Sequence, residues 1–134
     1  MKTLNLFLFL FLTFSSCNKS DEVVTPKQVN AIVSTWKLVK YEPGFGPTNT
    51  YNNGQIQWTF NSNNTVNVVI VNGTNVNNSL PLNTNGSYTY IINGNQITIN
   101  NVVYKYEIIN NELKIEDLIG QSSDGKKLSF LVIN

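Results

Sequence analysis

From residue 33 to the end of the chain, apolar and polar side chains alternate in short runs, and Asn, Gly or Ser breaks each run. An alternation with a period of two is typical of a β-strand with one buried face. We therefore predict eight strands, with the approximate ranges 33–42, 55–60, 65–72, 87–92, 96–100, 102–109, 112–119 and 126–133. Their mostly tight connections indicate antiparallel neighbours in an all-β, up-and-down arrangement.

The register of these strands follows from side-chain parity, because a slip of one residue turns every side chain to the other face. A two-residue turn at Asn110–Asn111 places two Lys–Glu pairs on one face and mostly apolar pairs on the other. The charged pairs are Glu107 with Lys114 and Lys105 with Glu116, and the inward pairs are Ile108 with Leu113, Tyr106 with Ile115 and Tyr104 with Asp117.

Two other hairpins predict the same separation of faces. The Asn-rich loop between the second and third strands sets Trp58 opposite Val68. An Asn93–Gly94 turn, a strong hairpin signal, sets Tyr90 opposite Ile97. Each hairpin therefore directs its aromatic residues to the same side of the sheet.

A sheet with one apolar face must cover that face, and closure into a barrel also removes its exposed edges. We predict that strand 126–133 pairs with strand 33–42 to close the sheet. A capping-box pattern at residues 25–28 predicts a short helix before the first strand. The expected fold class is an all-β, eight-stranded antiparallel up-and-down barrel with a short N-terminal helix.

The first 17 residues have the pattern of a bacterial export signal. A basic start at Lys2 and the apolar run 6–12 precede two small serines and the single cysteine, Cys17. This order resembles the signal of bacterial lipoproteins, in which the cysteine receives diacylglycerol, although Phe14 stands where Leu is more usual. We expect a signal peptide over 1–16, a lipidated tether over 17–27 and a barrel domain over 28–134, held at the outer membrane on its periplasmic face or at the cell surface.

The composition excludes most catalytic chemistry. The chain has no His and one Cys, and all nine of its basic residues are Lys. Triads that use histidine, clusters of thiolate metal ligands and guanidinium clamps are therefore excluded, and we expect no catalytic residue, no metal and no cofactor. Loss of Lys2 with the signal changes the formal charge from +1 to zero, which argues against nucleic acid as a partner.

The predicted domain resembles the lipocalin-like domain of small bacterial lipoproteins over about residues 28–134. The resemblance rests on Ser34-Thr35-Trp36 at the start of the first strand, on Trp58-Thr59-Phe60 before an Asn-rich turn, and on the final strand. Lipocalins commonly begin with Gly-X-Trp, and Ser34 takes the place of that glycine. The resemblance implies an eight-stranded barrel with one plugged end, an apolar lumen and usually no reaction, and it implies that Trp36 packs at the closed end.

Side-chain parity directs seven aromatic residues and one acid into the lumen. They fill the space as a core or line a cavity for a ligand, and the sequence leaves both interpretations open. Asp117 fixes a ligand or accepts a hydrogen bond near the rim from Tyr104. The candidate lumen residues are Trp58, Phe60, Tyr88, Tyr90, Tyr104, Tyr106, Asp117 and Phe130.

Two functions are compatible with these features. The first is a monomeric, lipid-anchored protein that binds a small hydrophobic ligand without catalysis. The second is an interaction module with a filled barrel, such as a scaffold, an inhibitor or an immunity-type lipoprotein, which binds a protein or glycan through loops 43–54 and 73–86. A lumen without free volume favours the second function, and an open cavity favours the first.

Overall fold

The computed structural model describes residues 31–118 and 125–133. All regular structure in this part of the chain is β-sheet, and no helix there is long and apolar enough to cross a membrane. The predicted N-terminal helix lies outside the described residues. The strands are β1 (Thr35–Glu42), β2 (Asn49–Thr50), β3 (Ile56–Phe60), β4 (Thr65–Ile70), β5 (Gly86–Asn93), β6 (Gln96–Ile99), β7 (Val102–Ile109), β8 (Glu112–Asp117) and β9 (Lys127–Val132).

Eight of these strands close into an antiparallel barrel, as the sequence predicts. From β3 to β9 each strand pairs with the next, and β9 pairs with β1 along most of its length. The two-residue strand β2 was not predicted. It pairs with the C-terminal half of β1, beyond the part that pairs with β3. The sequence gives no signal for β2 because two residues are too few to show an alternation.

The predicted registers are confirmed at two of the three hairpins. Trp58 pairs with Val68, and Tyr106 pairs with Ile115. At the third hairpin the prediction was wrong by two residues, because the turn residues are Gly94 and Asn95. Tyr90 therefore pairs with Ile99 rather than with Ile97. A shift of two residues keeps every side chain on the same face of the sheet, so the prediction of which side chains point inward is still correct.

Asparagine shapes the turns of this barrel. Among residues 31–118 and 125–133, five residues other than glycine have positive φ, and all five are Asn. The pairs Asn100–Asn101 and Asn110–Asn111 each have positive φ at both positions, as a type I′ hairpin turn requires. Gly94 has a φ of 60° and occupies the first turn position, where type II′ turns place glycine. Asparagine thus supplies both residues of two tight antiparallel turns.

The Lys–Glu pairs predicted on the outer face are opposite each other in register, but they form no close ion pairs. Glu107 pairs with Lys114, and Lys105 with Glu116. The Lys114 ammonium lies instead 4.0 Å from Glu112, its neighbour along the same strand. Both side chains of that pair are substantially exposed, so solvent screening leaves its contribution small.

The two ends of the barrel differ in their connections. The floor is the end where β1 begins, and it carries the short turns after β3, β5 and β7. The mouth is the opposite end, and it carries the long connections 43–55 and 71–85 and the turn at Asn100–Asn101. The core lies between these ends, inside the closed sheet.

Candidate binding site

The candidate lumen residues lie on the inner face of the barrel, and most of them are fully buried. Trp58 is 0% exposed, Phe60 and Tyr106 are each 1% exposed, and Tyr90 and Tyr104 are each 3% exposed. Tyr88 is half-buried and packs against the core, and Asp117 is half-buried at the end of β8. A space large enough for a water molecule beside a side chain would give that side chain accessible surface. The lumen is therefore packed around these aromatic rings.

Aromatic contacts fill the lower lumen. The ring centroids of Trp58 and Phe130 are 4.9 Å apart, and those of Phe60 and Tyr90 are 5.1 Å apart in an edge-to-face arrangement. The Trp58 and Phe60 centroids are 6.3 Å apart. These separations lie within the range of favourable aromatic pairs, so the rings stabilise one another in addition to excluding water.

The floor is sealed by the segment that leads into β1. The Trp36 indole nitrogen donates a hydrogen bond to the Ile32 carbonyl oxygen at 2.8 Å. Trp36 is 2% exposed and Ile32 is fully buried. The Tyr90 hydroxyl donates to the Asn61 carbonyl oxygen at 2.9 Å and so ties β5 to the turn after β3. Trp36 is thus a core residue at the closed end, as the sequence predicts.

Two polar atoms inside the packed lumen have no hydrogen-bond partner among the described residues. They are the indole nitrogen of Trp58 and the hydroxyl of Tyr106. A buried polar atom without a partner costs about 1–3 kcal/mol. Burial also raises the pKa of the Tyr106 hydroxyl, with a smaller effect from nearby Tyr90, so this group stays protonated as a potential donor.

A β-bulge directs a further tyrosine into the mouth. The pairing of β1 with β9 shifts between Leu38 and Lys40, so Val39 is an extra residue. Leu38 and Tyr41 are consequently both turned inward, and both are fully buried although they stand three positions apart in the sequence. Simple alternation cannot place both residues on one face, so the sequence pattern does not predict Tyr41 in the lumen.

One loop segment, residues 77–83, crosses the mouth, and we call it the plug. On one side the Tyr41 hydroxyl donates to the Ser79 carbonyl oxygen at 2.8 Å. On the other side the Asn100 side-chain amide donates to the Pro81 carbonyl oxygen at 3.2 Å. In the strand order β1 lies opposite the turn between β6 and β7, so these two bonds attach the plug to opposite sides of the barrel.

The plug inserts two leucines into the core. Leu80 is 3% exposed and Leu82 is 1% exposed, and both belong to the same buried cluster as the lumen aromatics. The plug has no strand pairing of its own. The upper lumen is therefore filled by side chains from a loop, whereas the lower lumen is filled by side chains from the barrel wall.

The plug is also joined to the other long connection. The Asn77 side-chain amide donates to the Asn49 side-chain oxygen at 2.8 Å, and the Asn77 backbone N–H points to the Tyr51 hydroxyl at 3.4 Å. Asn49 and Tyr51 belong to connection 43–55. The two long loops thus form one continuous surface over the mouth.

Asp117 is the only charged residue that the register turns inward among the described strands. Its carboxylate accepts a hydrogen bond from the Lys126 backbone N–H at 3.2 Å, and Asp117 pairs with Tyr104 across β7 and β8. Burial, with smaller effects from the negative charge of Asp117 and from the nearby Tyr41, raises the pKa of Tyr104 to about 12. Tyr41 also has a raised pKa, from burial first, against a lowering effect of its bond to Ser79. These groups form a polar rim beneath the plug.

A groove on the outer wall is separate from this site. It has a volume of about 510 Å³ and is lined by residues that include Lys37, Gln57 and Ile133. No aromatic side chain lines it, and it opens to solvent. The mouth is the better candidate site, because it combines apolar side chains, hydroxyls and a carboxylate in one place.

The plug leucines, Tyr41 and Asn77 were not among the predicted lumen residues. The sequence carries a signal for the leucines, since Leu80-Pro81-Leu82 is the only apolar stretch in a loop that is otherwise Asn, Gly, Ser and Thr with single valines. Such a stretch in a polar loop indicates a buried anchor, because two exposed leucines would gain nothing there.

A family model of the lipocalin-like domain matches residues 32–118, and the chain belongs to this family. The predicted resemblance is therefore confirmed. The lipocalin-like fold is generally a non-catalytic binding fold and is compatible with a small ligand.

None of the curated proteins matches the sequence. Among solved structures, the chain is similar to a crystal structure of an uncharacterized protein from Bacteroides eggerthii DSM 20697. The two share 12% sequence identity with a TM-score of 0.49, and the match covers 75% of this chain and 98% of that chain.

Proposed function

We propose that this protein is a lipid-anchored, non-catalytic binding protein of the cell envelope, and that it takes up a small hydrophobic ligand at the mouth of its barrel. The observation that carries the proposal is the way the mouth is filled. Leu80 and Leu82 come from a loop without strand pairing, so the space that they occupy can be vacated without breaking the barrel wall.

The anchor in this proposal is Cys17. It follows an apolar segment and two serines at the point where a lipoprotein signal ends. Several acyl chains, each contributing about 0.8 kcal/mol per buried methylene, hold such a protein durably at a membrane. The segment between Cys17 and the barrel acts as a tether, and we place the anchored protein in the outer membrane.

Replacement of the cysteine tests the anchor. Cys17→Ser should release the protein from the membrane fraction or leave the precursor uncleaved, whereas Ser16→Ala keeps a small residue before the cysteine and should leave anchoring intact. Metabolic labelling with an alkyne-tagged fatty acid followed by cell fractionation measures both outcomes. Membrane attachment of Cys17→Ser equal to that of the wild type would contradict the anchor.

Native mass spectrometry of the protein purified from its own host tests ligand binding. We expect a reproducible mass increase of a few hundred daltons that disappears on denaturation. Addition of hydrophobic compounds to the emptied protein should change the fluorescence of Trp58, which lies in the lumen. Protein that is always empty and shows no fluorescence response would rule out the ligand.

The packed lumen favours a second candidate, an interaction module that binds a protein or glycan through its mouth loops. The Asn49–Asn77 hydrogen bond joins connections 43–55 and 71–85 into one surface, as a protein-binding site on a rigid scaffold requires. A pull-down from host membranes should lose its partner when the exposed Phe45, which is 82% exposed, is changed to Ser. Ile91→Ser on the outer wall is the matched control, and equal capture by both variants would count against this function.

A further inference from the structure

Two side chains of the protein itself, those of Leu80 and Leu82, fill the mouth of the barrel where a ligand would bind. Leu80 and Leu82 are buried in the same cluster as the wall aromatics, and they arrive on a segment held by side-chain hydrogen bonds at its two sides. Each isobutyl group contributes through non-directional apolar burial, which any apolar group of similar size would also supply.

We propose that Leu80 and Leu82 are a displaceable internal occupant of the barrel mouth, and that the ligand which replaces them is a small amphiphile with an uncharged polar head. The inference rests on the proposed uptake of a small ligand and specifies both its class and its competitor. The two isobutyl groups together contain about eight carbon atoms, so an apolar group of that size refills the vacated space.

The polar contacts under the plug define the head group. While the plug is in place, the Tyr41 hydroxyl donates to the Ser79 carbonyl oxygen and lies 2.9 Å from the Ser79 hydroxyl. Displacement of Ser79 would free the Tyr41 hydroxyl for a ligand. An alcohol or ester oxygen on a ligand can replace either partner. Asp117 is the only charged residue turned inward among the described strands, so it repels a carboxylate head and leaves an uncharged one unaffected.

The plug competes with such a ligand at high effective concentration, because it is part of the same chain. A tethered group on a short flexible connection acts at millimolar concentration or above, so a free ligand binds with an affinity lowered by the fraction of open mouths. Weakening the plug should therefore raise ligand affinity. Ordinary binding-site substitutions have the opposite effect.

The experiment uses the processed chain from residue 17 with Cys17→Ser, so that no detergent competes for the site. The probes are 1-octanol and sodium octanoate at neutral pH. Binding is measured by titration calorimetry, and hydrogen exchange by mass spectrometry is followed in peptides covering 76–83. Octanol should speed exchange in the plug severalfold while the barrel strands stay protected, and octanoate should bind about tenfold or more weakly.

Two variants test the competition. Leu80→Ser with Leu82→Ser should bind octanol at least about tenfold more tightly than the wild type. Asn100→Gly removes the plug hydrogen bond to the Pro81 carbonyl oxygen, and glycine accepts the positive φ of this position. It should also tighten binding, which keeps the test decisive if the double variant does not fold. Asn101→Gly is the matched control, because Asn101 is the other positive-φ residue of the same turn and its side chain makes no hydrogen bond to the plug.

Several results would overturn the inference. Octanol binding without faster exchange in 76–83 would remove the displacement and leave the proposed ligand uptake in place. Equal binding of octanol and octanoate would remove the uncharged head group. If neither the wild type nor a folded plug variant binds octanol, the ligand class is wrong, and the ligand search by native mass spectrometry then decides the proposed function separately.

Discussion

The floor and the mouth of this barrel are both closed, but by different parts of the chain. The floor is packed by residues of the strands themselves, with Trp58 and Phe130 in ring contact and Trp36 bonded to Ile32. The mouth is packed by Leu80 and Leu82, which a loop carries into the lumen. The side chains of the floor and of the mouth are therefore buried to a similar extent, but only those of the floor are held in place by the strands of the sheet.

This difference has a consequence for dynamics. A floor residue can leave the core only when the strands that carry it separate. The plug can leave when a few hydrogen bonds and the burial of two side chains are lost, so it can open locally at a lower free energy than the whole domain needs to unfold. A binding function requires a part of the molecule that opens in this way, and the mouth provides it.

The largest expected effect comes from the floor. Trp58→Ala removes a fully buried side chain that contacts two aromatic rings, and it should lower the free energy of unfolding by about 3–5 kcal/mol. Urea denaturation followed by circular dichroism measures the loss. Ile91→Ala on the exposed wall is the control and should cost less than about 0.5 kcal/mol. A similar loss in both variants would mean that the floor is not the stable part of the core.

A leucine in the plug should cost less than a floor aromatic, although its burial is almost complete. Leu82→Ala should lower the free energy of unfolding by about 2 kcal/mol, the lower end of the range for buried leucines, because the loop can settle into the space left behind. The same denaturation experiment measures this value. A loss as large as that of Trp58→Ala would show that the plug is an integral part of the core.

Two conservative tyrosine variants compare satisfied and unsatisfied hydroxyls in the lower lumen. Tyr90→Phe breaks the bond to the Asn61 carbonyl oxygen and should cost about 1 kcal/mol. Tyr106→Phe removes a hydroxyl without a described partner and should be neutral or slightly stabilising. Thermal unfolding of both variants gives the comparison. A marked destabilisation by Tyr106→Phe would indicate that its hydroxyl holds a bound molecule.

Alkaline pH should weaken the whole barrel. Burial, and then the Asp117 carboxylate, raise the pKa of Tyr104 to about 12 from the usual 10.0. Because the raised pKa favours the neutral form in the folded state, this stabilisation is complete below pH 10.0 and is lost as the pH rises towards 12. Denaturation midpoints across this window should fall, and the fall should be smaller in Tyr104→Phe. Midpoints that stay constant would contradict the buried position of this hydroxyl.

The sequence predicts the floor well and the mouth poorly, and the reason is physical. Alternation along β3 and β9 places Trp58 and Phe130 inside, since each strand has only two faces. At the mouth, the bulge at Val39 breaks this alternation and turns Tyr41 inward. The path of the plug depends on contacts between distant residues, such as Tyr41 with Ser79, for which a single sequence has no periodic signal.

The turn at Gly94 shows a milder limit of the same kind. Asn93–Gly94 and Gly94–Asn95 are both acceptable two-residue turns, and either register keeps Tyr90 inside. Parity therefore identifies the face of each residue but not its cross-strand partner. The fold class and most of the lumen follow from the sequence, whereas the exact pairing at this hairpin needs the structure.

Native-state hydrogen exchange is the most direct test of a separable plug. If the plug opens separately, the Leu80 amide, which donates to the Asn77 carbonyl oxygen, exchanges through a local opening whose rate hardly changes with low concentrations of urea. The Tyr90 and Tyr106 amides, bonded to Asn64 and Asn95, should exchange only through global unfolding and respond steeply to urea. If the Leu80 amide shows the same protection and the same urea dependence as these two amides, the plug does not open separately from the barrel.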